Sequence, residues 1–199
     1  MSSEMGLIRS ISYNQDEILQ NIVFLHTGPP ECDVTYGRGG FYHHLPRPRL
    51  CFDIEPLQPE VMQADVRCLP LGNNSLANVF FDPPFLLKSG SHSILKERFG
   101  KIDGQFKDLL GFYYLAMLEV HRVLRPGGWL VFKCQDMVSS GVNNFSHVEI
   151  YAMALTLGFV PKDLFILLAK GRMISPLHKV QVHCRKFHSY FWVFRKKRK

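Results

Sequence analysis

A chain of 199 residues with 46% hydrophobic and 13% aromatic residues has enough apolar content to bury a full core in one domain. No apolar run approaches the length of a membrane span, and the opening "MSSEMGLIRS" lacks the apolar core of a secretory signal. Cys32, Cys51, Cys68, Cys134 and Cys184 are scattered without CxxC or CxxH spacing, so the reading is an intracellular chain with reduced thiols and no metal site. The net charge of +7 is concentrated late, because residues 171–199 are rich in Lys and Arg and hold no acid. Such a basic region fits a polyanionic partner, chiefly nucleic acid.

In chain order, "NQDEILQNIVFL" (14–25) begins with an Asn cap candidate and two acids, then places apolar residues at helical spacing. "ECDVTYGRGGF" (31–41) predicts a weak strand running into a glycine turn. Further short strands are predicted in "RLCFDIEP" (49–56), "VMQADV" (61–66) and "NVFFDPPF" (78–85). The polar stretch 86–107 is long for a connection, which marks it as a substrate loop. "DLLGFYYLAMLEVHRVL" (108–124) is an apolar helix stopped by Arg125-Pro126-Gly127-Gly128, and "WLVFKCQD" (129–136) is a fifth strand. "SHVEIYAMALTLGF" (146–159) is a capped helix ending at Gly158; "LFILLAK" (164–170) and "HSYFWVFR" (188–195) are the last strands, around a basic loop at 171–187. Alternating strands and helices predict a mostly parallel, twisted α/β sheet with helices on both faces. The final pair breaks the alternation and reads as an antiparallel C-terminal hairpin at one edge. The whole chain, 1–199, is one domain with a basic tail at 196–199.

Ligands of open α/β sheets bind beyond the carboxyl ends of the strands, and four predicted strand ends carry suggestive residues. In the first, Gly37 and Gly39 let a ligand approach the backbone, and Asp33 is placed to accept from an ammonium group. In the second, Asp53 or Glu55 stands where an acid takes both ribose hydroxyls of a nucleoside. In the third, Asp65 is placed to hold an adenine amino group while Val66 offers a backbone N–H. "GRGG" lacks the third glycine of GxGxxG, and Pro46 and Pro48 cut short the segment after it. A pyrophosphate is therefore poorly served, and a phosphate-free adenosine cofactor such as S-adenosylmethionine fits better. The fourth strand end is Asp82-Pro83-Pro84-Phe85, an acid, a rigid turn and an aromatic ring.

"DVTYGRGGF", "FDIEP", "QADVRCLP", "FFDPPF" and "HRVLRPGGWLVFK" together resemble the Rossmann-like class I S-adenosylmethionine-dependent methyltransferases. Asp82-Pro83-Pro84-Phe85 is similar to the [DNS]PP[YF] motif of amino-methyltransferases that modify adenine N6 or cytosine N4 in DNA. The likeness covers residues 31 to about 136 well and implies a cofactor set of Asp33, Thr35, Gly37, Gly39, Asp53, Ile54, Asp65, Val66 and Asp82. "SYNQDEIL" (12–19) lies where some of these families place a further cofactor motif.

The chemistry explains the tetrapeptide. An exocyclic amino nitrogen is a poor nucleophile because its lone pair is delocalised into the ring. Acceptors on both of its N–H bonds free that pair; the Asp82 side chain supplies one and the Pro83 carbonyl the other. The prolines restrict the backbone around them, and Phe85 offers a face on which the base stacks, worth roughly 1–3 kcal/mol. Alignment of nitrogen, methyl and sulfur supplies most of the acceleration. Lys88, Arg172 and Lys179, with Lys96, Arg98, Lys101, Arg185 and Lys186, are candidates for phosphate contacts, which position a substrate without reading its sequence. The expected substrate is adenine N6 in DNA. RNA adenine N6 or guanine N2, DNA cytosine N4, a non-catalytic nucleic-acid binder and a nucleotide-dependent oxidoreductase are the alternatives. Within 199 residues a large target-recognition domain is not expected.

Overall fold

In the computed structural model, which describes residues 7–85, 105–139, 141–171 and 182–198, the first helix starts where its sequence predicts. The Asn14 side chain accepts from the Asp16 backbone N–H at 2.9 Å, and Asp16 and Glu17 lie at the positive end of the helix dipole. This helix, α1, runs Gln15–Ile22 and widens into a π turn over Val23–Thr27. The other helices among the described residues are α2 (Phe106–Val123) and α3 (Ser146–Thr156). The strands are β1 (Ile11–Ser12), β2 (Cys32–Asp33), β3 (Leu50–Asp53), β4 (Met62–Gln63), β5 (Leu76–Phe81), β6 (Leu124–Cys134), β7 (Met137–Ser139), β8 (Val142–Asn144), β9 (Phe159–Leu168) and β10 (His188–Lys196).

Eight strands form one sheet in the order β1-β9-β10-β6-β5-β2-β3-β4, and β7 pairs with β8 in a separate ribbon. β10 runs antiparallel to both of its neighbours, whereas the remaining pairs of the large sheet are parallel. Because side chains alternate along a strand, β5 sends Val79 and Phe81 to one face and Phe80 to the other. On the first face they meet Leu109, Tyr113, Met117 and Val120 of α2 and Ile150 and Ala154 of α3. On the second, Phe80 joins Val131, Phe191 and Ile18, Leu19 and Ile22 of α1. Each large apolar side chain so buried contributes about 1.5–3 kcal/mol. Both faces are thus covered, as the α/β pattern implies.

The sheet departs from the expected layout at its antiparallel end. The final hairpin is not at an edge: β10 is inserted between β9 and β6, and β1 pairs with the outer side of β9. The two-residue β1 carries no periodic signal of its own and exists through its pairing with Ile166 and Leu167. β6 begins at Leu124 rather than Trp129, because a register shift opposite Leu76 and Asn78 absorbs the Arg-Pro-Gly-Gly turn into the strand. β9 likewise starts at Phe159 and accommodates Pro161 at an irregularity facing Val193 and Phe194. Ser146 lies inside α3 and does not cap it; Asp136 accepts from the His147 N–H at the helix start instead.

Candidate active site

Parallel pairing brings the carboxyl ends of β2, β3, β5 and β6 to one rim of the sheet. At the end of β2 the chain turns through Gly37 (φ +53) and Gly39 (φ +75), a region that costs glycine least. A Cβ on Gly39 would stand 2.8 Å from the Tyr36 hydroxyl oxygen, so a side chain there would displace the Tyr36 ring. Asp53, ending β3, accepts from the Gly37 N–H at 2.8 Å through one oxygen and from the Glu55 N–H at 3.0 Å through the other. Glu55 is exposed, and Ile54 between them is 57% exposed and presents an apolar surface beside the carboxylate.

Asp33 is not open to a ligand's ammonium group. It is 2% exposed, and its oxygens accept from the Thr35 N–H at 2.8 Å and the Tyr42 hydroxyl at 2.5 Å. Burial pushes its carboxyl up to about 7 despite those two donors. Its position makes it the internal brace of the glycine turn. Asp65 is also engaged: Arg67 binds both of its oxygens at 2.6–3.0 Å, which holds its carboxyl below the ordinary range. The Val66 side chain is buried beside it.

The corner at residues 82–85 follows β5 directly. The Asp82 N–H donates to the Thr35 hydroxyl at 2.8 Å, which ties the corner to the glycine turn. The fully buried Tyr113 of α2 donates to the Pro84 carbonyl at 3.1 Å. Pro83 is buried, whereas Pro84 and Phe85 are half-buried, so the ring is not wholly folded into the core. Among the described residues, Asp82 Oδ1 is buried without a hydrogen-bond partner. Its other oxygen accepts from Lys133 Nζ at 3.0 Å. Burial raises the Asp82 carboxyl above its ordinary range, and the Lys133 ammonium opposes that rise.

Gln15 completes the arrangement. Its Oε1 accepts from Lys133 Nζ at 3.0 Å and its Nε2 donates to the Gly40 carbonyl at 3.0 Å. The structure therefore brings Thr35, Gly37, Gly39, Asp53, Ile54 and Asp82 to one rim and adds Gln15, Tyr42, Tyr113 and Lys133. Sequence reasoning missed Lys133, although a lone charge in the apolar strand "WLVFK" was a visible signal. Gln15 lies in the "SYNQDEIL" segment, while Tyr42 and Tyr113 look like ordinary aromatic core residues. Lys88, Arg172 and Lys179 lie outside the described residues, as do Lys96, Arg98 and Lys101. Trp129 and Trp192 sit on β6 and β10 and pack against the two cores.

No family model matches the sequence, and no curated protein matches it significantly. Among solved structures, the (4+2)-cyclase SpnF has a TM-score of 0.56 at 13% identity, over 92% of this chain and 82% of its own. A SAM-dependent methyltransferase of Thermotoga maritima has a TM-score of 0.54 at 16% identity, over 90% of this chain and 87% of its own. A protein of Thermus thermophilus assigned as a DNA modification methylase, solved with S-adenosyl-L-methionine, has a TM-score of 0.49 at 21% identity, over 68% of this chain and 54% of its own. The chain spans about half the length of the DNA modification methylases that it matches. SpnF, named for a cyclisation, is a reminder that fold alone does not fix the reaction. What the likeness shows is the architecture: the chain has the fold of the class I S-adenosylmethionine-dependent methyltransferases.

Proposed function

We propose that this protein is an S-adenosylmethionine-dependent methyltransferase acting on an exocyclic amino group of a nucleobase, adenine N6 in DNA first among them. The observation that carries this reading is Asp82 Oδ1, a buried carboxylate oxygen without a partner among the described residues, on a proline-fixed turn at the rim. A buried acceptor left unsatisfied costs free energy, and a donor from a bound substrate relieves that cost.

The rim residues fit the cofactor. Gly37 and Gly39 present backbone without a Cβ, and each Asp53 oxygen, already accepting one N–H, has a lone pair left for a ribose hydroxyl. Ile54 offers its exposed side chain to an adenine ring. When bound, S-adenosylmethionine supplies an electrophilic methyl group on a sulfonium, whose bonding pair stays with sulfur.

The chain's own residues then act on the acceptor nitrogen. Asp82 Oδ1 and the Pro83 carbonyl accept its two N–H bonds, which favours pyramidal nitrogen and frees the lone pair to form the N–C bond. Thr35 and Tyr113 fix the backbone on either side, so this geometry needs little reorganisation during the reaction. The methylated nitrogen is strongly acidic and loses its proton to water, leaving Asp82 ionised. Phe85 provides a stacking face once a base in a duplex has flipped out.

The test is incubation with methyl-deuterated S-adenosylmethionine and with DNA or RNA, followed by nucleoside mass spectrometry. Labelled N6-methyladenine from DNA is the expected product. Label on RNA bases or on cytosine N4 would reassign the substrate, and label on no amino group would refute the reading.

A further inference from the structure

Lys133 is a charge in a place where charges are expensive. Its side chain is 13% exposed, and it follows Trp129, Leu130, Val131 and Phe132 on an interior strand. Register explains its aim: Phe81 faces Phe132 across the parallel pair, so the next residues, Asp82 and Lys133, meet on the α1 side of the sheet. Nζ donates at 3.0 Å to Asp82 Oδ2 and at 3.0 Å to Gln15 Oε1. It also lies 5.1 Å from the Phe41 ring centre and 5.5 Å from that of Phe191, which stabilise a cation from the apolar side. The ammonium is thus held by two oxygen acceptors and two ring faces.

The consequence falls on the carboxylate. A free carboxylate rotates and offers either oxygen. Here the backbone of Asp82 is pinned by Thr35 and one oxygen by Lys133, and Oδ1 alone remains without a partner among the described residues. Gln15 carries the restraint on to the glycine turn through the Gly40 carbonyl. We propose that Lys133 is the positioning residue of this corner, clamping Oδ2 of Asp82 so that Oδ1 alone meets the target amino group. The assignment rests on the reading of Asp82 as the amino acceptor.

A clamp that is also a cation opposes the rise that burial imposes on its carboxyl, and this separates it from a merely structural contact. The titratable groups around Asp82 are Lys133 and Cys134 on β6, Asp33 at the end of β2 and Tyr113 on α2. Of these, Lys133 is the one whose charge favours the anion. Its removal leaves a half-buried carboxylate that takes up a proton at higher pH and then presents a donor as well as an acceptor.

The experiment compares wild type, Lys133→Met and Lys133→Arg by three measurements: kcat against pH, cofactor Kd by calorimetry, and the Asp82 carboxyl titration by carbon-detected NMR. Lys133→Met is expected to lower kcat at neutral pH by about 100-fold. It should also move the acidic limb of the profile and the Asp82 titration upward by at least about 1 pH unit, with cofactor Kd changed less than about 3-fold. Lys133→Arg, which keeps the cation, is expected to leave the acidic limb in place and recover part of kcat. If Lys133→Met does not fold, Gln15→Leu removes the second anchor without stranding a charge and is expected to lower kcat several-fold. Wild-type kcat in that variant would overturn the clamp. So would an Asp82 titration identical in wild type and Lys133→Met, if wild type is active. A wild type that methylates no nucleobase amino group overturns the reading of Asp82 and this assignment with it.

Discussion

Replacing Asp33 by asparagine is expected to remove a penalty that this protein carries at neutral pH. The carboxyl is 2% exposed, and burial raises it from 3.8 to about 7, with the Asp82 and Asp53 charges adding to the rise. In the unfolded chain it ionises near its ordinary value, so between about pH 4 and pH 7 the folded state binds the extra proton. Stability must therefore fall as pH rises through that window, and above it the full cost of the buried anion is present. From 3.8 to about 7 that cost is about 4 kcal/mol. The asparagine of Asp33→Asn resembles the protonated acid: its oxygen accepts from the Thr35 N–H and its amide donates to the Tyr42 oxygen. Urea unfolding at intervals from about pH 5 to pH 8 measures the effect. The difference between variant and wild type should grow by about 2–3 kcal/mol in the variant's favour across that range. A constant difference at every pH would show that Asp33 does not titrate inside the fold, and the brace described for it would be wrong.

Tyr113→Phe strips the Pro84 carbonyl of its donor. It should cost about 1 kcal/mol, a Tm lower by about 2–4 °C, and reduce kcat while leaving cofactor Kd unchanged. Gly39→Ala places a Cβ 2.8 Å from the Tyr36 hydroxyl at a φ of +75°, and should lower both stability and cofactor affinity in thermal melts and calorimetry. Gly40→Ala, with no atom within 4 Å, is the matched control and should behave as wild type. Asp53→Ala should weaken the cofactor by about 10-fold or more in calorimetric titration. Its kcat at saturating cofactor should stay near that of wild type.

Much of the architecture was legible because it is written in short-range patterns. Asn14 and the acids after it mark a helix start, and Asn14 caps α1 as expected. Val79-Phe80-Phe81 reads as a buried strand and forms the middle of the sheet. What was not legible depends on partners distant in sequence. The insertion of β10 between β9 and β6 follows from tertiary pairing, and a strand carries no mark of which neighbour it will choose. An acid at a strand end suits a ligand acceptor, the role that the sequence suggests for Asp33 and Asp65. Tyr42 and Arg67, which engage them, are turn residues whose reach is set by the folded backbone. Lys133 meets Asp82 across 51 positions of sequence, a juxtaposition that only the parallel register creates.

The central claim is that one oxygen of Asp82 grips the substrate's amino group while the cofactor occupies a separate set of contacts. Asp82→Ala tests it most directly, through paired measurement of S-adenosylmethionine Kd and of methyl transfer to nucleic acid. The account expects Kd within about 3-fold of wild type and transfer reduced by about 100-fold or more, the scale seen when a preorganised polar contact to the reacting group is lost. Transfer near the wild-type rate, or loss of cofactor binding in step with loss of transfer, would contradict it.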